Sequence, residues 1–363
     1  MNLVRSIRAA LTLTAITPAF AATACGGPGG AVLIVVDTPV TVATTWNGRY
    51  DIRTSIDINA PLEIAPCSVI TIAPGASLSV RNGGSIRALG TAACPIRIQS
   101  AKPVPAAGDW ERIDIYGTAS SNSLFQHTEI LHGNASLYGV VWVEDRASVG
   151  LDNVRIAQST GTGVRLENTA RLSTFSNVRF EAIGAEVMKV GPVALASMGR
   201  LSADGIPNAR VALDGTPSAA AATWRALGVP LEVPSMAIES GVIEIEAGSI
   251  VRFAPDAVIA VRNGGALRAL GTAASPVVFE SAKPAQAAGD WRRIEFYQTS
   301  SSTNLLRNTT VRHGGDATYG VLWVEMGATL ALESVTMNMN SSCDVGGEGT
   351  VNNTGSTVAR CAM

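Results

Sequence analysis

The sequence is poor in charged side chains, which make up 15% of its 363 residues and give a formal net charge of −2. A nucleic-acid surface needs clustered Lys and Arg, so this balance argues against a nucleic-acid partner. Surface runs of Glu, Lys and Gln, which favour helices, are nearly absent, whereas Val, Ile, Thr and Ser alternate along much of the chain. The composition therefore indicates strands and turns and not helices.

Long hydrophobic runs are also absent, and no segment is apolar over a length that spans a bilayer. A short apolar stretch, 9–16, follows the basic residues Arg5 and Arg8. The small-x-small sequence Ala19-Phe20-Ala21 comes next and is typical of a signal-peptidase cleavage site. We therefore predict that residues 1–24 form an export signal.

The sequence around Cys25 permits two processing routes. Residues 22–27, Ala-Thr-Ala-Cys-Gly-Gly, resemble a bacterial lipobox, although Ala22 replaces the usual large aliphatic residue. In the first route Cys25 is lipidated, and a single lipid anchor tethers the protein to a membrane without embedding it. In the second route an ordinary signal peptidase cleaves the chain and Cys25 stays free. We expect an outer-membrane, cell-surface or periplasmic location in the first case, and secretion in the second.

One phrase of the sequence occurs twice in nearly the same form. Residues 80–93 are VRNGGSIRALGTAA and residues 261–274 are VRNGGALRALGTAA, so the offset in numbering is 261 − 80 = 181. Further segments recur at the same offset: Gly108–Tyr116 with Gly289–Tyr297, Leu131–Gly133 with Arg312–Gly314, and Tyr138–Glu144 with Tyr319–Glu325. This constant spacing predicts an internal duplication of about 181 residues and a repeat architecture.

A shorter rhythm runs inside the first copy. Asn153–Ile156 recurs as Asn177–Phe180 at an offset of 24, and Val141–Glu144 recurs as Val164–Glu167 at an offset of 23. Short alternating strands that repeat every twenty-odd residues predict an all-β parallel solenoid, in which stacked coils bury the inward side chains. A β-sandwich also has many short strands and stays an alternative, although it does not readily give fixed offsets.

The repeated phrase fits one coil of such a solenoid. Val80, Ile86 and Ala88 occupy alternating positions and are expected to point inward. The segments Asn82–Gly84 and Gly90-Thr91 are expected to turn the corners, because the ends of a coil need the backbone angles that glycine adopts. On this interpretation the phrase is architecture and not a pair of active sites.

Motifs along both copies follow a common order. The second copy carries Thr223-Trp224, Val242–Gly248, Gly271-Thr272, Pro276–Ser281 and Gly289–Trp291, and the first carries Trp46, Ile64–Pro66, Gly90-Thr91, Pro95-Ile96 and Gly108–Trp110. This order, over most of residues 45–340, resembles bacterial secreted and surface proteins with right-handed parallel β-helix repeats, a pectate-lyase-like solenoid architecture. The chain departs from their pattern at Arg112 and Arg293, where glycine is usual. The resemblance implies a right-handed parallel β-helix; some members are adhesin-like, and the wider fold also hosts polysaccharide lyases and hydrolases.

The repeats divide the chain into five regions. We predict an export signal at 1–24, a linker and N-terminal cap at 25–45, the first β-helix copy at 46–222, the second copy at 223–340, and a disulfide-stapled C-terminal cap at 341–363. The two copies are expected to form one continuous solenoid, or two stacked segments of it.

The cysteine positions are consistent with this arrangement. Cys67 and Cys94 both lack a counterpart under the 181-residue offset, and a pair that is absent together is most simply a bonded pair. They are about one coil apart, so neighbouring rungs bring them within disulfide reach. Cys343 and Cys361 are then expected to bond and to staple the last coil, whose exposed strand edge needs a cap. These bonds imply an oxidising compartment, and the unpartnered Cys25 favours lipidation.

Two of the 3 histidines, His132 and His313, are equivalent under the 181-residue offset and are candidate catalytic residues. Each imidazole would act as an acid or base beside a carboxylate, Asp109 or Asp290. The alternative, which we favour, is that each ring occupies a corner of the solenoid and bonds backbone or water. Asp114 also recurs as a carboxylate, and its place between two isoleucines predicts a side chain that points outward to solvent.

Four tryptophans recur in pairs and are candidates for stacking on sugar rings: Trp110, Trp142, Trp291 and Trp323. The alternative is that each packs beneath a turn. The sequence has no P-loop, dinucleotide-binding glycine motif, GxSxG motif, CxxC motif or Cys/His cluster, so we expect no cofactor and no metal.

These features predict an exported, non-enzymatic protein of the cell envelope or the medium that serves as a structural, adhesin-like or glycan-contacting scaffold. The expected partner is a polysaccharide or a cell-surface glycan, with membrane contact only through a lipid on Cys25. Two alternatives stay open: a polysaccharide lyase or glycoside hydrolase that uses the histidines, and a carbohydrate-binding module that uses the tryptophans.

Overall fold

The structure is a computed structural model that describes residues 32–133, 138–214, 222–299, 303–316, 318–341 and 343–362. The predicted export signal and Cys25 lie outside these residues. Within them almost all regular structure is β-strand, and the single helix, α1, spans Pro192–Leu195. No helix in these segments is long and apolar enough to cross a membrane.

Thirty-four strands are present in the described segments. Those up to residue 213 are β1 (Leu33–Val36), β2 (Thr44–Trp46), β3 (Arg49–Ile52), β4 (Ile56–Ile58), β5 (Pro61–Ile64), β6 (Val69–Ile72), β7 (Leu78–Val80), β8 (Ser85–Leu89), β9 (Ile96–Ser100), β10 (Ile113–Ile115), β11 (Ser123–Leu131), β12 (Val141–Val143), β13 (Ser148–Ser159), β14 (Val164–Leu166), β15 (Arg171–Ser176), β16 (Arg179–Ile183), β17 (Met188–Val190) and β18 (Val211–Leu213).

The remaining strands are β19 (Ala222–Trp224), β20 (Leu231–Val233), β21 (Met236–Ile238), β22 (Val242–Glu246), β23 (Ile250–Phe253), β24 (Val258–Val261), β25 (Ala266–Leu270), β26 (Val277–Ser281), β27 (Arg293–Phe296), β28 (Leu305–Arg307), β29 (Thr309–Arg312), β30 (Leu322–Val324), β31 (Thr329–Glu333), β32 (Thr336–Asn338), β33 (Val345–Gly346) and β34 (Thr350–Thr354).

The strands stack in parallel, one turn of the chain above the next. One sheet has 12 strands in the order β4-β7-β10-β12-β14-β17-β18-β20-β23-β26-β29-β32. Since each turn contributes one strand to this sheet, the described chain makes about 12 turns. The expected parallel β-solenoid is therefore confirmed, and the parallel pairing excludes the β-sandwich alternative.

Alternation along each strand separates the core from the outer surface. In β12, Val141 and Val143 are fully buried, whereas Trp142 between them points outward and is half-buried. Ile113 on the preceding turn lies opposite Val141, and Val164 on the next turn continues the stack. Each such buried side chain stabilises the fold by about 1.5–3 kcal/mol, but only after the next turn has covered it.

Strands that correspond under the 181-residue offset belong to different sheets in the two predicted copies. Under the 181-residue offset β7 corresponds to β24, yet β7 belongs to the 12-stranded sheet and β24 to a 5-stranded sheet. The 12-stranded sheet continues instead through β18 and β20 into β23, which is the counterpart of β6. The segment predicted to be the second copy is therefore stacked with its strands shifted by one sheet, and outward residues related by the 181-residue offset lie on different sheets.

The repeated phrase forms one coil, as expected. Val80 and Ile86 are fully buried, and Asn82 and Gly83 turn the corner with φ of 52° and 81°. A Cβ atom on Gly84 would collide with the backbone carbonyl of Ile58 on the preceding turn. The corner therefore needs glycine both for its backbone angle and for its close approach to the neighbouring rung.

Both predicted cysteine pairs lie at disulfide distance. The Cα atoms of Cys67 and Cys94 are 4.7 Å apart, and those of Cys343 and Cys361 are 4.9 Å apart. The first pair lies at a corner, where the Cys67 N–H also donates to the Cys94 carbonyl at 3.2 Å. The second pair links the segment after β32 to the end of the described chain, so it ties down the last coil.

Candidate functional site

Each recurring histidine lies at a corner beside its aspartate. His132 directly follows β11 and His313 directly follows β29, with φ of 66° and 64°. The Asp109 N–H donates to the His132 carbonyl at 3.0 Å, and the Asp290 N–H donates to the His313 carbonyl at 2.9 Å. The sequence candidates therefore come together in two equivalent sets, but these bonds join their backbones and not their side chains.

The Asp109 carboxylate is fully occupied by neighbouring donors. Its Oδ2 accepts from the Ser100 hydroxyl at 2.7 Å and from the Ala106 N–H at 2.8 Å, while its Oδ1 accepts from Lys102 Nζ at 2.6 Å. Burial raises the pKa of Asp109, but the bonds from Lys102, Ala106 and Ser100 outweigh it and lower the pKa to about 2. The carboxylate is a weak base that holds the loop before it in place.

Asp290 has the same environment in the second copy. Lys283 Nζ donates to its Oδ1 at 2.9 Å and the Ala287 N–H donates to its Oδ2 at 2.8 Å. Burial raises the pKa of Asp290, whereas bonds from Lys283, Ala287 and Ser281 lower it further than burial raises it. Both aspartates are therefore ionised, and each holds the loop that joins one sheet to the next by hydrogen bonds.

The two imidazoles are packed into the corners and not exposed in a groove. His132 is 7% exposed and His313 is 3% exposed. Burial is the main cause that lowers the pKa of each ring, so both are neutral near pH 7. The Ser100 N–H approaches His132 Nδ1 at 3.5 Å, and His313 Nδ1 has no hydrogen-bond partner among the described residues. In neither set does an imidazole bond the aspartate carboxylate within the described part of the chain.

Two of the candidate tryptophans have no exposed face. Trp110 and Trp291 are completely buried under the corners that the histidines form. The indole N–H of Trp110 donates to the Leu131 carbonyl at 2.8 Å, and that of Trp291 donates to the Arg312 carbonyl at 2.9 Å. In each Gly-Asp-Trp motif, therefore, the aspartate holds the preceding loop by hydrogen bonds and the tryptophan fills the space beneath the corner.

The other two tryptophans lie on the outer surface, each beside a tyrosine. In the first copy Trp142 is 4.8 Å from Tyr138 and 5.7 Å from Tyr116 between ring centroids. The Arg112 guanidinium lies 5.0 Å from the Tyr138 ring, which is a cation–π distance. We call Arg112, Tyr116, Tyr138 and Trp142 the first aromatic cluster. Tyr138 is 38% exposed, so the cluster presents an apolar surface to solvent.

Asp114 departs from its expected environment. Its side chain points away from the core, but it is 1% exposed and not solvated, and it lies between Ser79 and Trp142 of the neighbouring turns. Arg112 Nε donates to Asp114 Oδ1 at 2.5 Å, and the Ser79 hydroxyl donates to Oδ2 at 3.4 Å. Burial raises the pKa of Asp114 more than these partners lower it. The prediction of a solvated carboxylate was wrong because a strand pattern gives direction but not what lies above the strand.

A second aromatic cluster occupies the equivalent place in the second copy and consists of Arg293, Tyr319 and Trp323. The Tyr319 and Trp323 rings are 4.8 Å apart, and the Arg293 guanidinium lies 4.5 Å from the Tyr319 ring. Arg293 also pairs with Glu295 at 2.8 Å and with Asp316 at 2.9 Å. The two clusters lie on different sheets, since β12 belongs to the 12-stranded sheet and β30 to the 5-stranded sheet.

Two signals in the sequence indicate these clusters. Arg112 and Arg293 are the positions at which the chain departs from the β-helix repeat pattern, and both arginines hold a tyrosine and a carboxylate. Tyr138 and Tyr319 recur at the same offset as the tryptophans. A repeated departure from a structural pattern is a signal of a surface with another role.

Two cavities on the side of the solenoid border these features. One, of about 460 Å³, lies beside the junction of the copies, but its cations are engaged: Arg210 with Glu186 and Glu232, Arg252 with Glu280, and Lys283 with Asp290. The other, of about 530 Å³, adjoins the second aromatic cluster near the end of the solenoid. It is lined by Thr318, Trp323, Glu325, Met326, Gly347, Glu348, Cys361 and Ala362.

Comparison with known proteins adds no family assignment: no protein-family model, no curated protein and no solved structure matches the chain. The resemblance to bacterial β-helix repeat proteins therefore rests on the motifs, and of what it implied the parallel β-solenoid is present. No group of three or more His, Cys, Asp or Glu side chains in the described segments is arranged to hold a metal ion.

Proposed function

We propose that this protein is an exported, non-enzymatic β-solenoid scaffold whose outer surface contacts polysaccharide in an adhesin-like manner. The observation that carries the proposal is the pair of outward aromatic clusters, each with a tyrosine that is 38% exposed beside a half-buried tryptophan. Flat aromatic rings on a rigid surface match the apolar faces of sugar rings and lose little entropy on binding.

The histidine corners favour a non-enzymatic role. General acid–base catalysis needs a group that can exchange a proton with a substrate within hydrogen-bond reach. Asp109 is held at a pKa of about 2 with both oxygens occupied, and His132 is 7% exposed. These groups stabilise corners at the positions where the enzymatic alternative requires them to meet a substrate.

The arrangement of the clusters favours separate contacts and not one continuous binding groove. Trp142 lies on the 12-stranded sheet and Trp323 on the 5-stranded sheet, so the two do not form a single row. Two independent weak contacts on one rigid body increase the overall affinity for a surface that carries many copies of a glycan. This geometry suits attachment to a polysaccharide layer.

The proposal includes export of the protein to an oxidising compartment. Two cysteine pairs at disulfide distance support it, because such bonds persist outside the reducing cytosol. The lipid anchor on Cys25 and the identity of the envelope remain part of the proposal.

The test is a panel of immobilised neutral, amine-bearing and uronate polysaccharides, scored for retention of the purified protein and for released products. We expect retention without product, and weaker retention for Tyr138→Ala/Trp142→Ala and Tyr319→Ala/Trp323→Ala. Val104→Ala, which removes an 83% exposed side chain elsewhere, is the matched control. Product release that His132→Ala abolishes would establish the enzymatic alternative, and an absence of retention on every polymer would reject the glycan-contacting role.

A further inference from the structure

The cavity beside Trp323 has an internal comparison, because the first copy contains the same four positions. The 181-residue offset relates Trp323 to Trp142, Glu325 to Glu144, Gly346 to Arg165, and Glu348 to Glu167. The pairing register is also the same: Trp142 lies opposite Arg165 on the next turn, and Trp323 lies opposite Gly346. The hydrogen bonds of these residues can therefore be compared directly between the two places.

In the first copy the polar groups of this arrangement satisfy each other. The Trp142 indole N–H donates to Glu167 Oε1 at 3.1 Å, and the Asp145 N–H donates to Oε2 at 3.2 Å. Glu144 Oε2 accepts from the Gly117 N–H at 2.7 Å. Both carboxylates and the indole N–H are thus used by the protein itself.

In the second copy the same groups have no protein partner among the described residues. The Trp323 indole N–H makes no bond to Glu348, and neither the Glu325 nor the Glu348 carboxylate accepts a hydrogen bond or forms an ion pair there. All three residues line the cavity of about 530 Å³. One donor group and two acceptor groups therefore belong to residues that border the same open space.

The backbone of the last coil passes close to the indole of Trp323. Gly346 stands where the first copy has Arg165, which lies 5.8 Å from the Tyr138 ring and pairs with Asp214 at 2.9 Å. A Cβ atom on Gly346 would come within 3.0 Å of the Trp323 ring and 2.6 Å of the Tyr319 carbonyl. Glycine therefore lets the strand pass close to the indole with no side chain over it.

The chemistry of the lining defines the ligand. The two carboxylates can accept from donors of a ligand, the indole N–H can donate to an acceptor, and the indole ring with Met326 offers an apolar face. None of the described residues that line the cavity is Lys or Arg, so the two negative charges disfavour an acidic ligand. A pyranose ring combines hydroxyl or ammonium donors, ring and glycosidic oxygens, and an apolar C–H face.

We propose that Trp323, Glu325 and Glu348 form a binding pocket for a terminal pyranose unit of a glycan that carries hydroxyl or amino groups and no acidic groups. The inference rests on the proposed glycan-contacting function and assigns it a site at the C-terminal end of the solenoid. Trp142 in the first copy is its closed counterpart.

Isothermal titration of the full chain tests the pocket with four trisaccharides: a neutral glucose trimer, an N-acetylglucosamine trimer, a glucosamine trimer with free amines, and a galacturonate trimer. We expect the first three classes to bind at this pocket and galacturonate not to bind there. Glu348→Ala and Trp323→Ala should each raise Kd by about tenfold, the loss expected for one stacking or charged contact. Glu348 is exposed, so its removal leaves the fold intact.

Val104→Ala, which removes an 83% exposed side chain outside both aromatic clusters, is the control and should leave trisaccharide binding unchanged. Equal loss with Val104→Ala and Trp323→Ala, or no loss with Glu348→Ala, would overturn the pocket. If the wild type binds the galacturonate trimer as tightly as the other trisaccharides, the proposed class of ligand is wrong. If none of the trisaccharides binds while the polymers still retain the protein, the pocket is rejected and the scaffold function stands; if neither binds, both fail.

Discussion

Replacement of Asp109 by asparagine tests whether the histidine corners are structural. Asparagine keeps the shape of the side chain but has only one acceptor oxygen. If that oxygen accepts from Ser100 and Ala106, the amide NH2 faces Lys102 Nζ, which loses the charged acceptor that it meets at 2.6 Å in the wild type. We expect the variant to fold and to be less stable than the wild type at pH 7. The surface aromatic clusters are unaffected, so binding of polysaccharide should persist.

The size of the loss follows from the pKa of Asp109. Burial raises this pKa, but the donors bring it from its ordinary value of 3.8 down to about 2. At about 1.4 kcal/mol for each pKa unit, the full difference corresponds to roughly 2.5 kcal/mol. Lys102 is 45% exposed, so solvent screens part of its contribution. We therefore expect a loss of about 1–2 kcal/mol in the free energy of unfolding.

The loss should depend on pH in a defined direction. The folded-state pKa lies below the unfolded one, so the contribution of Asp109 is complete above about pH 4 and disappears as pH falls through about 2. Guanidinium denaturation of wild type and Asp109→Asn at pH 7, 4 and 2 measures it. Asp256→Asn, at a carboxylate that is 80% exposed, is the control and should change little. A gap between wild type and Asp109→Asn that is absent at pH 7, or that is as large at pH 2 as at pH 7, would refute the structural assignment.

Three further predictions concern the frame around the clusters. Cys343→Ser/Cys361→Ser removes a link across 18 residues and should cost about 3 kcal/mol locally, seen as faster proteolysis of the last coil under non-reducing conditions. Gly84→Ala should lower the thermal midpoint because its Cβ meets a backbone carbonyl, whereas Gly199→Ala, whose Cβ meets no atom closer than 3.8 Å, should not; equal midpoints would reject the close approach. Metabolic labelling with a fatty-acid analogue should mark the wild type and not Cys25→Ser, and an unlabelled wild type ends the lipoprotein hypothesis.

The sequence was sufficient for the features that depend on spacing. Repeats at offsets of 23 and 24 predicted parallel turns, and the joint absence of Cys67 and Cys94 from the second copy predicted their pairing. Both inferences use the fact that a solenoid brings residues one turn apart onto neighbouring rungs. Inward positions such as Val80 and Ile86 followed from alternation alone.

Features that depend on what covers a strand were not predictable in the same way. Between β18 and β20 the 12-stranded sheet passes to strands that are not its counterparts under the 181-residue offset. The periodicity of the sequence predicts the strands but not which sheet each of them continues. Asp114 was expected in solvent because alternation gives the direction of a side chain, whereas its burial depends on its neighbours, Arg112 and, on the next turn, Trp142. The free carboxylates at the last coil required knowledge of hydrogen bonds that equivalent residues form in the first copy.

The contrast between Trp142 and Trp323 has a physical cause in their places along the solenoid. Trp142 lies inside the stack, where β14 follows with Arg165 and Glu167, so the next full turn supplies the partners of the indole. Trp323 is followed by the short strand β33, which ends at Gly346. In that turn Gly346 stands in the place of Arg165, and Glu348, in the place of Glu167, does not bond the indole N–H within the described part of the protein. The partner of Glu144 is Gly117 on the preceding turn, and Gln298 takes that place in the second copy. A binding pocket can therefore arise at the end of a repeat array from the same residues that close on each other in its interior.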